Sequence, residues 1–221
     1  MPQSGNQRSS SGSTGSSPAI WAFSRSSRSL SRCCSPPAGT KGKLKGAAPD
    51  RLFAMTTAYV KMEMELSLKS SGKAGIVFQP LETADFDAIV KDMEEVVEGT
   101  GSDVGTTVSK SDDEYGYRWM VLADPDFEDL VVGVNAVSGA LQGGGYGDRI
   151  LAAVFAFTDE RGRKLYWIYN FKRGSFYPFV PAAGSEQRDN ERELRLKAQI
   201  GADLPVEPEL ERWFPLWGIP I

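Results

Sequence analysis

The segment KLYWIYNFKRGSFYPFVP (164–181) sets two runs of large side chains on either side of the tight basic turn Lys172-Arg173-Gly174. Alternating bulky residues flanking a glycine-containing turn are the signature of a β-hairpin. Tyr166, Trp167, Tyr169, Phe171, Phe176, Tyr177 and Phe179 make it the densest aromatic region of the chain, and Lys172 and Arg173 are the adjacent cations that interrupt it. Strands this apolar must be covered by other elements, so the remaining sequence is read for what covers them.

Immediately upstream, 150–158 is an almost unbroken apolar run that predicts a strand buried on both faces. Asp159-Glu160-Arg161-Gly162 then turns it into the hairpin. Two amphipathic helices precede it. Phe86, Ile89, Val90, Met93, Val96 and Val97 recur at helical spacing, with Thr83 or Asp85 as cap and Gly99 as stop. Phe127, Leu130, Val131, Val134, Val137 and Leu141 repeat the pattern, with Asp124 expected as N-cap and Pro125 at the first helical position. Between them lie a weak strand near 106–110, a turn at Asp112-Asp113-Glu114 and a strand over 115–123. On the latter, Tyr117, Trp119, Val121 and Ala123 oppose Arg118, Met120 and Leu122.

Further upstream, 74–81 predicts a strand, and the alternation in TTAYVKMEMELSL (56–68) predicts another. After the hairpin, 189–202 reads as a helix with Glu191–Arg195 and Glu193–Lys197 pairs and a buried stripe of Leu196, Ile200 and Leu204. The end, LPVEPELERWFPLWGIPI (204–221), opens one helical turn at Pro208 and folds its apolar residues onto the body. The order ββαββαβββα predicts an α+β fold, a mostly antiparallel sheet with two amphipathic helices on one face and a C-terminal helix.

Charge divides the chain. Residues 1–49 hold 7 Lys+Arg, no Asp or Glu, and 13 Ser, whereas 50–221 hold 18 Lys+Arg against 29 Asp+Glu. Residues 1–40 are low-complexity and cannot bury enough apolar surface to offset their ordering entropy, which predicts a disordered leader outside a single domain spanning 41–221. A transit peptide and a start assigned too far upstream both explain it; the lack of a sustained amphipathic pattern favours the second. A body of net −11 is a poor electrostatic match to nucleic acid. Its composition, without a thiol or a bilayer-length apolar run, fits a cytoplasmic protein.

The chain contains no His, and its two cysteines, Cys33 and Cys34, lie in the leader. Serine triads therefore lack their histidine, the body has no thiol nucleophile, and no zinc site can be built from the two leader cysteines. Gly143-Gly144-Gly145-Tyr146-Gly147 follows a helix instead of leading into one, which is the wrong order for a phosphate loop. The acidic clusters at 112–114 and 124–129 lack calcium-loop spacing and read as a turn and a helix cap. No catalytic, metal or cofactor-binding residue is assigned. Arg and aromatic side chains dominate protein recognition, so Lys172, Arg173, Tyr177 and Arg188 are the candidate partner-binding residues. A solvated hairpin tip and a helix cap explain the same residues blandly. A rival reading takes the aromatic sheet face, lined by Trp119, Trp167 and Tyr169, as a small-molecule or nucleotide pocket.

DEYGYRW (113–119), NFKRGSFYPFVP (170–181), RDNERELRLK (188–197) and LERWFPLWGIPI (210–221) resemble, in that order, the PspA-associated protein PspAB family. DRLFAMTTAYVKME (50–63), SGKAGIVFQP (71–80) and PDFEDLVVGVNAVSGAL (125–141) fit the same family, and the similarity runs from about residue 41 to 221 but not into the leader. The resemblance implies a non-enzymatic accessory or adaptor protein, with no active site to carry over. Its expected partners are PspA or an HtpX-type membrane protease in a membrane-stress response, which would place it in the cytoplasm, peripheral to the membrane through that partner.

Overall fold

Ten residues from Lys69 to Phe78 form the strand at the centre of the sheet, and its two neighbours fix the topology. The computed structural model describes residues 49–101, 105–182 and 186–221, and all of them belong to one unit. The Ser-rich leader and the 41–48 boundary lie outside the described residues. The elements run α1 (Pro49–Leu52), α2 (Ala54–Leu66), β1 (Lys69–Phe78), α3 (Ala84–Gly101), β2 (Thr107–Asp112), β3 (Arg118–Ala123), α4 (Phe127–Gly143), β4 (Ile150–Thr158), β5 (Lys164–Asn170), β6 (Ser175–Phe179) and α5 (Asn190–Ile200). The fold is α+β, and every strand pair in the six-stranded sheet β2-β3-β1-β4-β5-β6 is antiparallel.

Period-two alternation sorts the strands onto two cores. One face carries Ala153, Phe155 and Phe157 of β4 with Trp167 and Tyr169 of β5, packed with buried residues of α1, α2, α3, α4 and α5. The other carries Ala152, Val154 and Ala156 of β4 with Tyr166 and Ile168 of β5, and here the cover is Trp213 and Ile221 from the C-terminal segment. β4 is therefore buried on both sides, as its unbroken apolar run predicts.

The largest correction falls on 56–68, which is helix α2 and not a strand. Met, Glu, Lys and Ala are strong helix formers, and Met55, Ala58 and Met62 meet the core at helical spacing. Alternation of Met with Glu imitated a strand because this helix keeps apolar residues on its solvent side as well: Val60 and Met64 are 56% and 80% exposed. The sheet accordingly has six strands and the chain begins αα. Two helix ends also move. α3 runs past Gly99 to Gly101, and α4 is capped by Asp126, whose side chain accepts from Glu128 N–H at 2.8 Å. Asp124, expected there, is buried and accepts from the Thr106 hydroxyl and from Asp126 N–H. The capping role passes to the next acid because Asp124 is held against Gly72 by its own backbone N–H (3.0 Å).

Candidate docking surface

The hairpin turn is locked from beneath. Asn170 closes β5 by accepting, on its carbonyl oxygen, the N–H groups of Arg173 (3.2 Å) and Gly174 (2.8 Å), and on its side chain the N–H of Lys172 (3.1 Å). Gly174 has φ +64°, a left-handed value that disfavours any Cβ, and an added Cβ would meet Arg51 Cδ at 3.3 Å. Phe171 is buried edge-on against Tyr169, with ring centroids 5.0 Å apart. With those three residues fixed, Lys172 and Arg173 are turned to solvent.

Other chain segments bring charge to the same tip. Residues 205–207 run beside β6: Phe176 N–H donates to Pro205 O (2.9 Å), and Glu207 N–H donates to Phe176 O (2.8 Å). This places the Glu207 side chain, 6% exposed, under the turn, where Ser175 Oγ donates to it at 3.1 Å. Arg173 and Arg212 approach its two oxygens at 3.9 and 3.7 Å, and Arg212 also pairs with Glu209 at 2.8 Å. From α1, Arg51 Nη1 donates to Gly174 O at 3.3 Å. Burial pushes the Tyr169 phenol up, and the nearby Arg51 charge opposes it.

The other two candidates sit elsewhere. Tyr177 is buried on the second face, stacked on Trp213 at 6.4 Å, and burial pushes its phenol well above the ordinary value. Arg188 holds Glu193 through Nε (2.9 Å) and Nη2 (2.8 Å), donates from Nη1 to Trp213 O, and lies over the Phe179 ring. Glu193 also accepts from Val180 N–H at 2.9 Å. Burial raises its pKa, with Arg188 and the Val180 N–H pulling the other way. Glu193 therefore serves Arg188 and not Lys197, whose ammonium donates to Pro208 O at 3.0 Å. The structure thus brings Lys172 and Arg173 together on an exposed turn and commits Tyr177 and Arg188 to internal contacts. Arg51, Glu207 and Arg212 were not foreseen. They come from distant segments, and no helical or strand spacing links them to residue 173.

The aromatic face does not make one pocket. Trp167 and Tyr169 belong to the helix-covered core and Trp119 to the other, and all three are buried. A shallow cleft beside β2 is lined by Lys110, Ser111, Asp112 and Arg118. Its charges are engaged locally: Arg118 grips Asp112 at 2.7 and 3.0 Å, and Lys110 pairs with Glu94 at 2.8 Å. Asp113 accepts from the N–H groups of Tyr115 and Tyr117 and from Trp119 Nε1, so the acidic turn satisfies its own strand. Among the described residues there is no group of three or more His, Cys, Asp or Glu that could hold a metal ion. None of the described helices is long and apolar enough to cross a membrane.

The family model described as PspA associated protein B matches residues 38–221. Neither a curated protein nor a solved structure matches the chain.

Proposed function

The chain belongs to the PspA associated protein B family, and we propose that it is a non-enzymatic accessory protein that docks onto PspA through the hairpin tip. The family name supplies the partner. The observation that carries the surface is the turn itself, where Lys172 and Arg173 are exposed on a scaffold fixed by Asn170, Gly174 and Phe171. A rigid turn presents its side chains at a low entropic cost of binding, and arginine forms strong contacts with partner carboxylates. In this reading the protein acts in a membrane-stress response from the cytoplasmic side, reaching the membrane only through its partner. An HtpX-type membrane protease is the second protein to which the same surface would present.

The test is capture of PspA by the purified chain, with detergent-solubilised HtpX-type protease run in parallel. Charge reversal at Lys172→Glu and Arg173→Glu is expected to abolish capture of PspA while circular dichroism and the unfolding midpoint stay at wild-type values. Undiminished capture by the folded double variant would remove the turn from the interface, and no capture by wild type would remove the docking role itself.

A further inference from the structure

Three guanidinium groups from three separate segments reach the turn or the buried glutamate beneath it. Arg51, at α1, is tied to the turn through Gly174 O (3.3 Å). Arg173 belongs to the turn, and Arg212 comes from the single helical turn Leu210–Arg212 near the C-terminus. The last two converge on Glu207, whose carboxylate is almost wholly buried. Their separations from it, 3.9 and 3.7 Å, are longer than the 2.7–2.9 Å of a charge-assisted hydrogen bond. Glu207 therefore gathers the two guanidiniums loosely; Arg212 Nη1 is also paired with Glu209 at 2.8 Å, which leaves the other edge of its fork and the Arg173 fork to meet a partner carboxylate. The Arg173 and Arg212 side chains remain 41% and 35% exposed. Apolar surface adjoins them in the chain, with Phe53, Leu210 and Phe214 at 37%, 45% and 41% exposure.

We propose that Arg51, Arg173 and Arg212 together form a recognition surface for an acidic segment of a protein partner. The proposal rests on the docking reading above and specifies the chemistry of the partner. Guanidinium forks match carboxylates two-on-two, and exposed apolar side chains beside them cover the stems of the incoming Asp or Glu residues. The remainder of the molecule selects the shape of that partner. With 29 Asp+Glu against 18 Lys+Arg in residues 50–221, a broad anionic surface such as a bilayer meets repulsion outside these arginines. A narrow acidic segment engages only the arginines.

The probe is a fluorescent Glu-rich peptide added to the full chain, with a Gln-rich peptide as reference and phosphatidylglycerol vesicles as a separate arm. The Glu-rich peptide alone is expected to bind, with affinity falling about ten-fold or more as salt rises from about 0.05 to about 0.5 M. Arg173→Gln combined with Arg212→Gln is expected to weaken binding by about ten-fold or more, and Arg51→Gln to weaken it measurably. Lys69→Glu with Lys73→Glu makes a control that lowers the net charge by more. Those lysines lie where β1 pairs with the far end of β4, away from Ala152 and the turn, and binding should persist. Peptide affinity that tracks net charge in all variants would overturn the proposal. So would equal binding of the Gln-rich peptide, or sedimentation with vesicles without peptide binding. Should the double variant unfold, the salt dependence and Arg51→Gln still decide. PspA capture distinguishes the two ideas. If wild type captures PspA but the arginine variants bind peptide like wild type, the proposed chemistry fails and docking stands. If PspA is never captured, the docking reading fails whatever the peptide does.

Discussion

At the scale of single residues, the sharpest contrast lies between two basic residues of the same candidate set. Arg188 is inside, holding a Glu193 side chain that is 2% exposed, whereas Lys172 sits on an open turn. Desolvation makes a buried pair a modest source of net stability, but it makes half of one a serious liability. Arg188→Met is therefore expected to cost about 3–5 kcal/mol, because it leaves the Glu193 carboxylate buried with the Val180 N–H and strips a donor from Trp213 O. Lys172→Ala is expected to stay within about 0.5 kcal/mol of wild type. Urea unfolding midpoints compare the two directly, and equal midpoints would refute the buried-pair account. Residue type puts both in the recognition set because it does not encode depth. Spacing likewise pairs Glu193 with Lys197, since an i,i+4 rule sees only partners on the same helix. The true partner precedes the helix, at the isolated bridge between Pro181 and Arg188.

At the scale of elements, what was legible depended on whether one face of each segment was clearly apolar. α3, α4 and the strands β3, β4, β5 and β6 each show an unambiguous period or a long apolar run, and each formed. α2 did not read correctly because two periods fit it at once. Met62 and Met64 share a face if 56–68 is a strand, but lie on different sides of a helix: Met62 is fully buried and Met64 80% exposed. That difference is measurable. Met62→Ala is expected to cost about 2–5 kcal/mol through lost burial and a residual cavity. Met64→Ala should change stability by no more than about 0.5 kcal/mol. Similar losses at both positions would return the segment to an alternating strand. The docking surface was half legible for a related reason. The hairpin and its cations follow from alternation and a glycine turn, whereas Arg51, Glu207 and Arg212 reach the tip only through tertiary pairing of 205–207 with β6.

At the scale of the whole molecule, the sheet has two faces and the helices lie with only one of them. The second face, with Trp119, Val154, Ile168, Tyr177 and Phe179, depends on the non-helical segment after Arg212. Trp213 stacks on Tyr177 and donates from Nε1 to Glu207 O (3.0 Å), and Phe179 meets Trp217 edge-on at 5.1 Å. Tyr166 and Lys164 both donate to Ile221 O, fixing the far end of the segment across the strands. Apolarity alone predicted that this terminus would fold back; which face it covers required knowing that the helices had taken the other. The dependence has an energetic consequence. Truncating a large buried aromatic such as Trp213 to alanine costs about 3–5 kcal/mol, a large part of the 5–15 kcal/mol that holds a typical domain together. Deleting residues 213–221 removes Trp213 together with the contacts of Trp217 and Ile221, and also the acceptor that Arg188 Nη1 uses. The deletion variant is expected to keep much of its far-UV circular dichroism, lose its near-UV signal, bind a hydrophobic dye and unfold without a sharp transition. Cooperative unfolding at the wild-type midpoint would show instead that the helix-covered core is sufficient. The tip would then owe its geometry to β5 and β6 alone. Loss of cooperativity together with loss of PspA capture would tie the docking surface to the cover on the opposite side of the sheet, because Glu207 is anchored between β6 and Trp213.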